Sequence, residues 1–145
     1  MKVLGIAVIG VLVLVACALI GGRLYYERFA NPRVARELMD QPDGERAQKV
    51  MLLTLPSGRQ IPVNYFLDGD MLYAGADGRW WKELVGDGVE VHALVRGETR
   101  TGRARAIVDD PAYTERIFQQ LRPNALKGFG TLVEIQLATR DDEAS

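Results

Sequence analysis

The segment Gly78–Leu84, GRWWKEL, places both tryptophans of the chain side by side between an arginine and a lysine. An indole offers a flat apolar wall, and a cationic group beside it offers a partner for an anion. These residue types favour a site for a planar aromatic ligand with an anionic tail. The candidate wall residues are Trp80 and Trp81, and the candidate anion partners are Arg79 and Lys82. The alternative is that one tryptophan plugs a core while the other lies at a dimer interface or against a membrane.

Three more positions extend this candidate site. Gly58 and Arg59 form a turn between two predicted strands, where they could meet the same anion. Asn64 lies on the second of these strands, on the face opposite Val63 and Tyr65, and could donate to the edge of a ligand ring. Ordinary strand polarity is the alternative for Asn64. Arg100, Arg103 and Arg105 form a basic stripe on one hairpin, which could steer an anion but is more typical of a solvated surface. Lys127, in the loop LKGFG, could reach a ligand.

Composition excludes several other kinds of site. The chain has a net charge of −1, which argues against nucleic acid as a partner. A single cysteine, Cys17, excludes an internal disulfide framework. A single histidine, His92, leaves no zinc site and argues against a Ser/His/Asp triad, so it is interpreted as a half-exposed strand residue. No catalytic residue is assigned, although Tyr65 and Tyr73 are candidate proton donors.

The amino-terminal segment is apolar over the length of a membrane span. Val3 to Gly22 contains no charged residue over twenty positions, which matches a hydrocarbon core of about 30 Å. Alternatives are a cleaved signal peptide or a lipoprotein signal ending at Cys17, but the apolar run continues beyond that point. Arginines follow the segment within a short distance: Arg23, Arg28, Arg33 and Arg36. The positive-inside rule therefore predicts a single-pass anchor with the body of the protein in the cytoplasm, export or a lipid anchor being the alternative.

Hydrophobic periodicity divides the rest of the chain. We predict a membrane anchor over 1–22, a juxtamembrane helix and linker over 23–48, a barrel domain over 49–138 and a frayed tail over 139–145. The helix begins at Asn31-Pro32, a capping residue followed by proline. Alternating patterns then predict six strands: KVMLLTL, QIPVNYFL, MLYAG, VEVHALV, TRTGRARAIV and TLVEIQLA.

The fifth strand and the helix after it have predictable faces. Small residues alternate with larger ones along the strand and should form its close-packed face: Gly102, Ala104, Ala106 and Val108. Asp109-Asp110-Pro111 caps a helix AYTERIFQQLR. The apolar side of this helix is predicted to consist of Ala112, Tyr113, Ile117, Phe118 and Leu121.

These elements predict a mainly β protein, a six-stranded split β-barrel with a helix in its carboxy-terminal half, preceded by one transmembrane helix. Closing the sheet removes the exposed edges that six strands would otherwise present. A barrel of this size is filled by its own side chains. Any ligand site must therefore lie on the outer wall or at a subunit interface.

Two sequence segments resemble a known family. MLLTLPSGRQIPVNYFLDGDMLYAG and WWKELVGDG are similar to segments of the split β-barrel flavin- and deazaflavin-binding proteins. The nearer branch is the deazaflavin-dependent nitroreductase and quinone reductase group, within the wider pyridoxamine-phosphate-oxidase-like clan. The resemblance covers about residues 31 to 138 and implies FMN or a deazaflavin as cofactor, hydride transfer to a quinone or nitro compound, and a homodimer.

The chain departs from the family pattern at two places. Its turn after the first strand is shorter and lacks several phosphate donors. Glu83 stands where the family has asparagine, and its carboxylate would repel a phosphate unless Lys82 or Arg79 neutralises it. These departures keep open a second hypothesis, a non-catalytic, membrane-anchored β-barrel module that binds a partner or assembles with itself.

Overall fold

The computed structural model describes residues 2–25 and 31–139, and the side chains of residues 8–22 and 31–139. Two helices come first, α1 (Lys2–Tyr25) and α2 (Asn31–Asp40). The chain forms two compact units, Met1–Arg36 and Glu37–Ser145. The second unit takes in residues 37–48, which the sequence pattern assigned to the juxtamembrane helix and linker.

Over residues 8–22, helix α1 presents apolar side chains on every side. Large side chains that are at least half exposed occur throughout its described part: Val8, Ile9, Val11, Leu12, Val13, Leu14, Val15, Leu19 and Ile20. Within the part of the chain that the structure describes, no helix reaches the combined length and hydropathy of a membrane span.

The second unit is a closed antiparallel barrel in the strand order β1-β2-β3-β6-β5-β4. Its strands have these bounds: β1 Val50–Thr54, β2 Gln60–Asp68, β3 Met71–Ala76, β4 Val89–Val95, β5 Glu98–Ile107 and β6 Thr131–Leu137. Closure is made by β1 and β4, which pair Leu52 with Leu94 and Thr54 with His92. The prediction of six strands in a mainly β barrel is confirmed.

Alternation along the strands fills the barrel with apolar side chains. The inward residues include Met51, Leu53, Leu72 and Ile135, all of which are fully buried. Gly102 faces inward on β5, where an added Cβ would lie 2.7 Å from Cγ2 of Ile135. The predicted close-packed face of β5 is therefore present at Gly102 and at the buried Ala104 and Ala106. The prediction was wrong for Val108, which is 61% exposed because β5 ends at Ile107.

Helix α3 (Pro111–Leu121) packs on the outer wall of the barrel. Asp110 caps it by accepting a hydrogen bond from the backbone N–H of Tyr113 at 2.9 Å. Ile117 and Phe118 form a second buried cluster with Ile107 and Leu132 of the wall. The helix was predicted correctly, but Ala112, which was assigned to its apolar side, is exposed.

Both ends of the barrel are covered by segments of the same chain. The end at which β1, β3 and β5 finish carries a 3₁₀ helix, Arg79–Leu84, and is called the tryptophan end below. The opposite end, called the linker end, is covered by the segment between α2 and β1. There the hydroxyl of Tyr65 donates to the carbonyl oxygen of Ala47 at 3.0 Å, and Nε of Arg96 donates to the Tyr65 hydroxyl at 3.1 Å. Residues 37–48 therefore help to cover the linker end of the barrel, in addition to connecting α2 to β1.

Candidate functional site

The 3₁₀ helix brings both tryptophans to the same end of the barrel. Leu84 is fully buried in the barrel core, and Trp80 and Trp81 are partly buried against that core. Neighbours on a helix or strand point apart, so that one core does not easily enclose two consecutive indoles. In the structure, each tryptophan packs on the core and is partly exposed.

The predicted cations stand beside the indoles. Nζ of Lys82 lies 5.8 Å from the centre of the Trp81 ring, within range of a cation–π interaction. Lys82 and Arg79 are both exposed. The tryptophan end thus presents aromatic surface and positive charge side by side.

The β1–β2 turn reaches the same surface through Glu83. Nη2 of Arg59 donates to Oε1 of Glu83 at 3.2 Å, and the backbone N–H of Ser57 donates to Oε2 at 3.3 Å. Gly58 has a φ of 80°, the left-handed conformation that glycine adopts without strain. The structure therefore brings Gly58 and Arg59 to the 3₁₀ helix Arg79–Leu84, called the tryptophan helix below. The base that neutralises Glu83 is Arg59 rather than Lys82 or Arg79.

Asn64 lies apart from this group. It is exposed on the outer wall and pairs with Val50, whereas the part of β2 nearest the tryptophan end is Gln60, which pairs with Thr54. Four residues of extended strand cover about 13 Å. Asn64 therefore lies at the middle of its strand, away from the tryptophan end of the same chain.

An arginine that the sequence analysis did not single out anchors the start of the tryptophan helix. Arg122, at the end of α3, donates through Nη1 to Asp77 and through Nη2 to the carbonyl oxygen of Phe129. Its guanidinium carbon lies 4.0 Å from the centre of the Phe118 ring, and its side chain is 17% exposed. Asp77 precedes the 3₁₀ helix by two residues. No local pattern could reveal this contact, because its partners are 45 residues apart.

A second polar cluster lies on the outer wall. The Tyr113 hydroxyl donates to Oε1 of Glu134, and Arg105 donates to Oε2 of Glu134 at 3.1 Å. Burial, followed by hydrogen bonds to Glu134 and Tyr73, raises the pKa of Tyr113 above its ordinary value. A cleft of about 790 Å³ lies beside these residues and is also lined by Val85, Gly86 and Asp87, which follow the 3₁₀ helix.

The remaining candidates have structural contacts. Arg100 donates to the carbonyl oxygen of Ala138 at 3.1 Å, and Arg103 donates to that of Gly88 at 2.7 Å. His92 is exposed, and its Nδ1 lies 3.2 Å from Oγ1 of Thr101. Of the two candidate proton donors, Tyr65 is bonded at the linker end, while Tyr73 lies on the outer wall near Tyr113.

The chain has structural similarity to solved proteins. No protein-family model matches the chain, and no curated protein matches it. Among solved structures, it is similar to a Listeria innocua protein provisionally described as a pyridoxamine 5'-phosphate oxidase. The sequence identity is 20% and the TM-score 0.44, over 72% of this chain and 95% of that one. The barrel fold itself is established by the strand pairings.

The Arg122 contact gives a prediction about the tryptophan helix. Arg122→Ala should lower the free energy of unfolding by about 1–3 kcal/mol, because Asp77 loses its partner and Phe118 is uncovered. It should also shift the tryptophan emission spectrum, since both indoles of the chain lie in the helix that Asp77 precedes. Chemical denaturation and fluorescence of the native protein measure the two effects.

Lys127→Ala is the control for this substitution. Its ammonium lies 3.9 Å from Glu115, and the side chain is 82% exposed, so its removal should change neither quantity appreciably. An Arg122→Ala protein with the stability and emission spectrum of the wild type would show that this arginine does not anchor the helix.

Proposed function

We propose that the protein binds a flavin or deazaflavin at the tryptophan end and acts as an oxidoreductase on an acceptor such as a quinone or a nitro compound. The proposal rests on one observation. The tryptophan helix and the β1–β2 turn, each predicted from the sequence as part of the site, lie on one surface. Glu83 of the tryptophan helix contacts Ser57 and Arg59 of the β1–β2 turn, 26 and 24 residues away. Aromatic rings, ammonium and guanidinium groups and a backbone N–H thus lie together.

The side chains of this surface have distinct roles in the proposal. An indole edge that remains in solvent provides a stacking wall for the ring system of the cofactor. Lys82 and Arg79 attract its anionic tail, and Gly58 allows the backbone to come close to that tail. The cofactor supplies the hydride chemistry, while the protein binds and orients it. Asn64 would reach the same ligand only if a second subunit completes the site.

A second candidate function is supported by the same contact. The backbone N–H of Ser57 and the guanidinium group of Arg59 already donate to the carboxylate of Glu83. The phosphate-binding position expected from the family resemblance, called the phosphate seat below, is therefore occupied by the protein's own carboxylate. A barrel that has lost cofactor binding would serve as a non-catalytic module that binds a partner or assembles with itself.

Ligand titration separates these two functions. Addition of FMN or a deazaflavin to the full-length protein should quench tryptophan fluorescence and raise the melting temperature. Lys82→Ala should weaken binding by about 1.5–3 kcal/mol through loss of a charge-assisted contact, without affecting the fold. Trp81→Ala should weaken binding by about 1 kcal/mol or more and also lower stability, because this ring packs partly on the core.

Lys49→Ala provides the matched control, since Lys49 is exposed and pairs with Glu45 near the linker end. It should bind the ligand as the wild type does. Absence of both quenching and thermal shift with either ligand at about 100 µM would reject the oxidoreductase and favour the binding module.

We further propose that the amino-terminal segment anchors the protein in a membrane with the barrel in the cytoplasm. The uncharged run Val3–Gly22, the apolar surface of α1 on every side and the arginines that follow support this proposal. Protease added to intact cells should leave the barrel intact, and disruption of the membrane should expose it. Digestion in intact cells, or a mature amino terminus at Cys17 or Leu19, would contradict the anchor.

The homodimer is likewise a proposal. Both tryptophans keep part of their surface in solvent, which leaves room for a second subunit to cover the ligand. Such an interface would be two-fold symmetric. Light scattering on residues 31–145 should report twice the monomer mass at tens of micromolar, and a monomer at that concentration would refute the shared site.

A further inference from the structure

Glu83 is held as a phosphate group would be held. One carboxylate oxygen accepts from the Ser57 backbone N–H at 3.3 Å, and the other accepts from Nη2 of Arg59 at 3.2 Å. A backbone N–H in a glycine turn together with a guanidinium group is a donor set that proteins use for phosphate oxygens. A carboxylate in this seat has the same acceptor chemistry with a smaller charge.

The seat is at the surface, so the carboxylate can be exchanged for another anion. The side chains of Glu83 and Arg59 are 30% and 47% exposed. An ion pair with this exposure contributes little to stability, because solvent screens it and both side chains lose freedom. A phosphate monoester carries a charge of about −1.5 to −2 at neutral pH and can therefore compete with the single charge of Glu83.

The position of Glu83 in its helix places the phosphate seat on the same side as the indole of Trp80. In a 3₁₀ helix, residues three apart lie on the same side, so Glu83 follows Trp80 on one side of the helix. Lys82 contacts the neighbouring ring of Trp81. A ligand whose ring stacks on Trp80 would therefore extend its tail toward the seat that Glu83 occupies.

We propose that Glu83 is an internal anion that closes a phosphate-monoester seat formed by Ser57 and Arg59, and that the ligand must displace it to bind. This inference rests on the proposed function for its location beside an aromatic wall. It adds that affinity is set by competition between a resident carboxylate and an incoming phosphate. The chain then binds a phosphorylated ring compound more weakly than the Ser57 and Arg59 donors would allow if Glu83 were absent.

Three ligands and three variants test this proposal on the full-length protein. The ligands are inorganic phosphate, FMN and riboflavin, which has the ring system of FMN without its phosphate. Glu83→Ala should bind phosphate and FMN about tenfold more tightly than the wild type, because two charge-assisted donors become free. Riboflavin affinity should not change. Glu83→Asp keeps the negative charge and should gain less than Glu83→Ala.

The gain must also depend on Arg59. In the double variant Glu83→Ala with Arg59→Ala, the higher affinity for phosphate and FMN should disappear. Phosphate titrations are matched with sodium chloride at equal ionic strength, so that general screening is subtracted. If Glu83→Ala does not fold, Glu83→Gln replaces it, since the amide keeps the shape of the side chain and removes its charge.

Unchanged phosphate affinity in the neutral variants, or an equal gain for riboflavin, would overturn the proposal. Phosphate binding with the expected order among variants, but no binding of FMN or riboflavin, would reject a flavin as the cofactor and leave the internal anion intact. FMN binding that does not respond to substitution of Glu83 would reject the internal anion alone.

Discussion

The pairing of β1 with β4 is the interaction on which the rest of this structure depends. By joining Leu53 to Ala93 and its neighbours on either side, it turns a six-stranded sheet into a closed barrel. Closure gives every strand a neighbour on both sides, so that no strand remains as the edge of the sheet. It also makes the interior too small for anything but the protein's own side chains, such as Met51, Leu72 and Ile135.

A filled barrel restricts function to its ends and its outer wall. At the linker end, Tyr65, Ala47 and Arg96 are joined by hydrogen bonds, so this end is closed by a fixed contact. At the tryptophan end, Leu84 seals the core while the adjoining aromatic and charged residues stay partly in solvent. One short helix therefore closes the core and, in the proposed function, also forms the binding surface. Under that proposal, changes to its indoles should affect stability and binding together.

The elements of the fold were predictable because they are encoded locally. Alternating apolar residues and short turns mark all six strands, and Asp110-Pro111 marks the start of α3. The two errors lie at element boundaries: Val108 follows the end of β5, and Ala112 lies in the first turn of α3. At such positions, periodicity no longer specifies which way a side chain points. The closed arrangement followed from the number of strands and the need to remove edges.

The candidate site was predictable only in its components. Trp80, Trp81, Lys82 and Arg59 were identified by residue type, but their contacts depend on side chains that are distant in sequence. The Arg59–Glu83 pair spans 24 residues, and the Arg122–Asp77 pair spans 45. No spacing rule reports such pairs, because the closure of the barrel brings the partners together.

Chemical-shift mapping on the isotope-labelled full-length protein tests most directly whether ligands are confined to the tryptophan end. On addition of FMN, the account predicts that the largest shifts occur at the backbone amides of Ser57 and Arg59 and at the two indole N–H groups. Resonances of the interior and of the Tyr113–Glu134 cluster should move little. Largest shifts at buried residues such as Met51 or Leu72, or around Tyr113, would contradict the account.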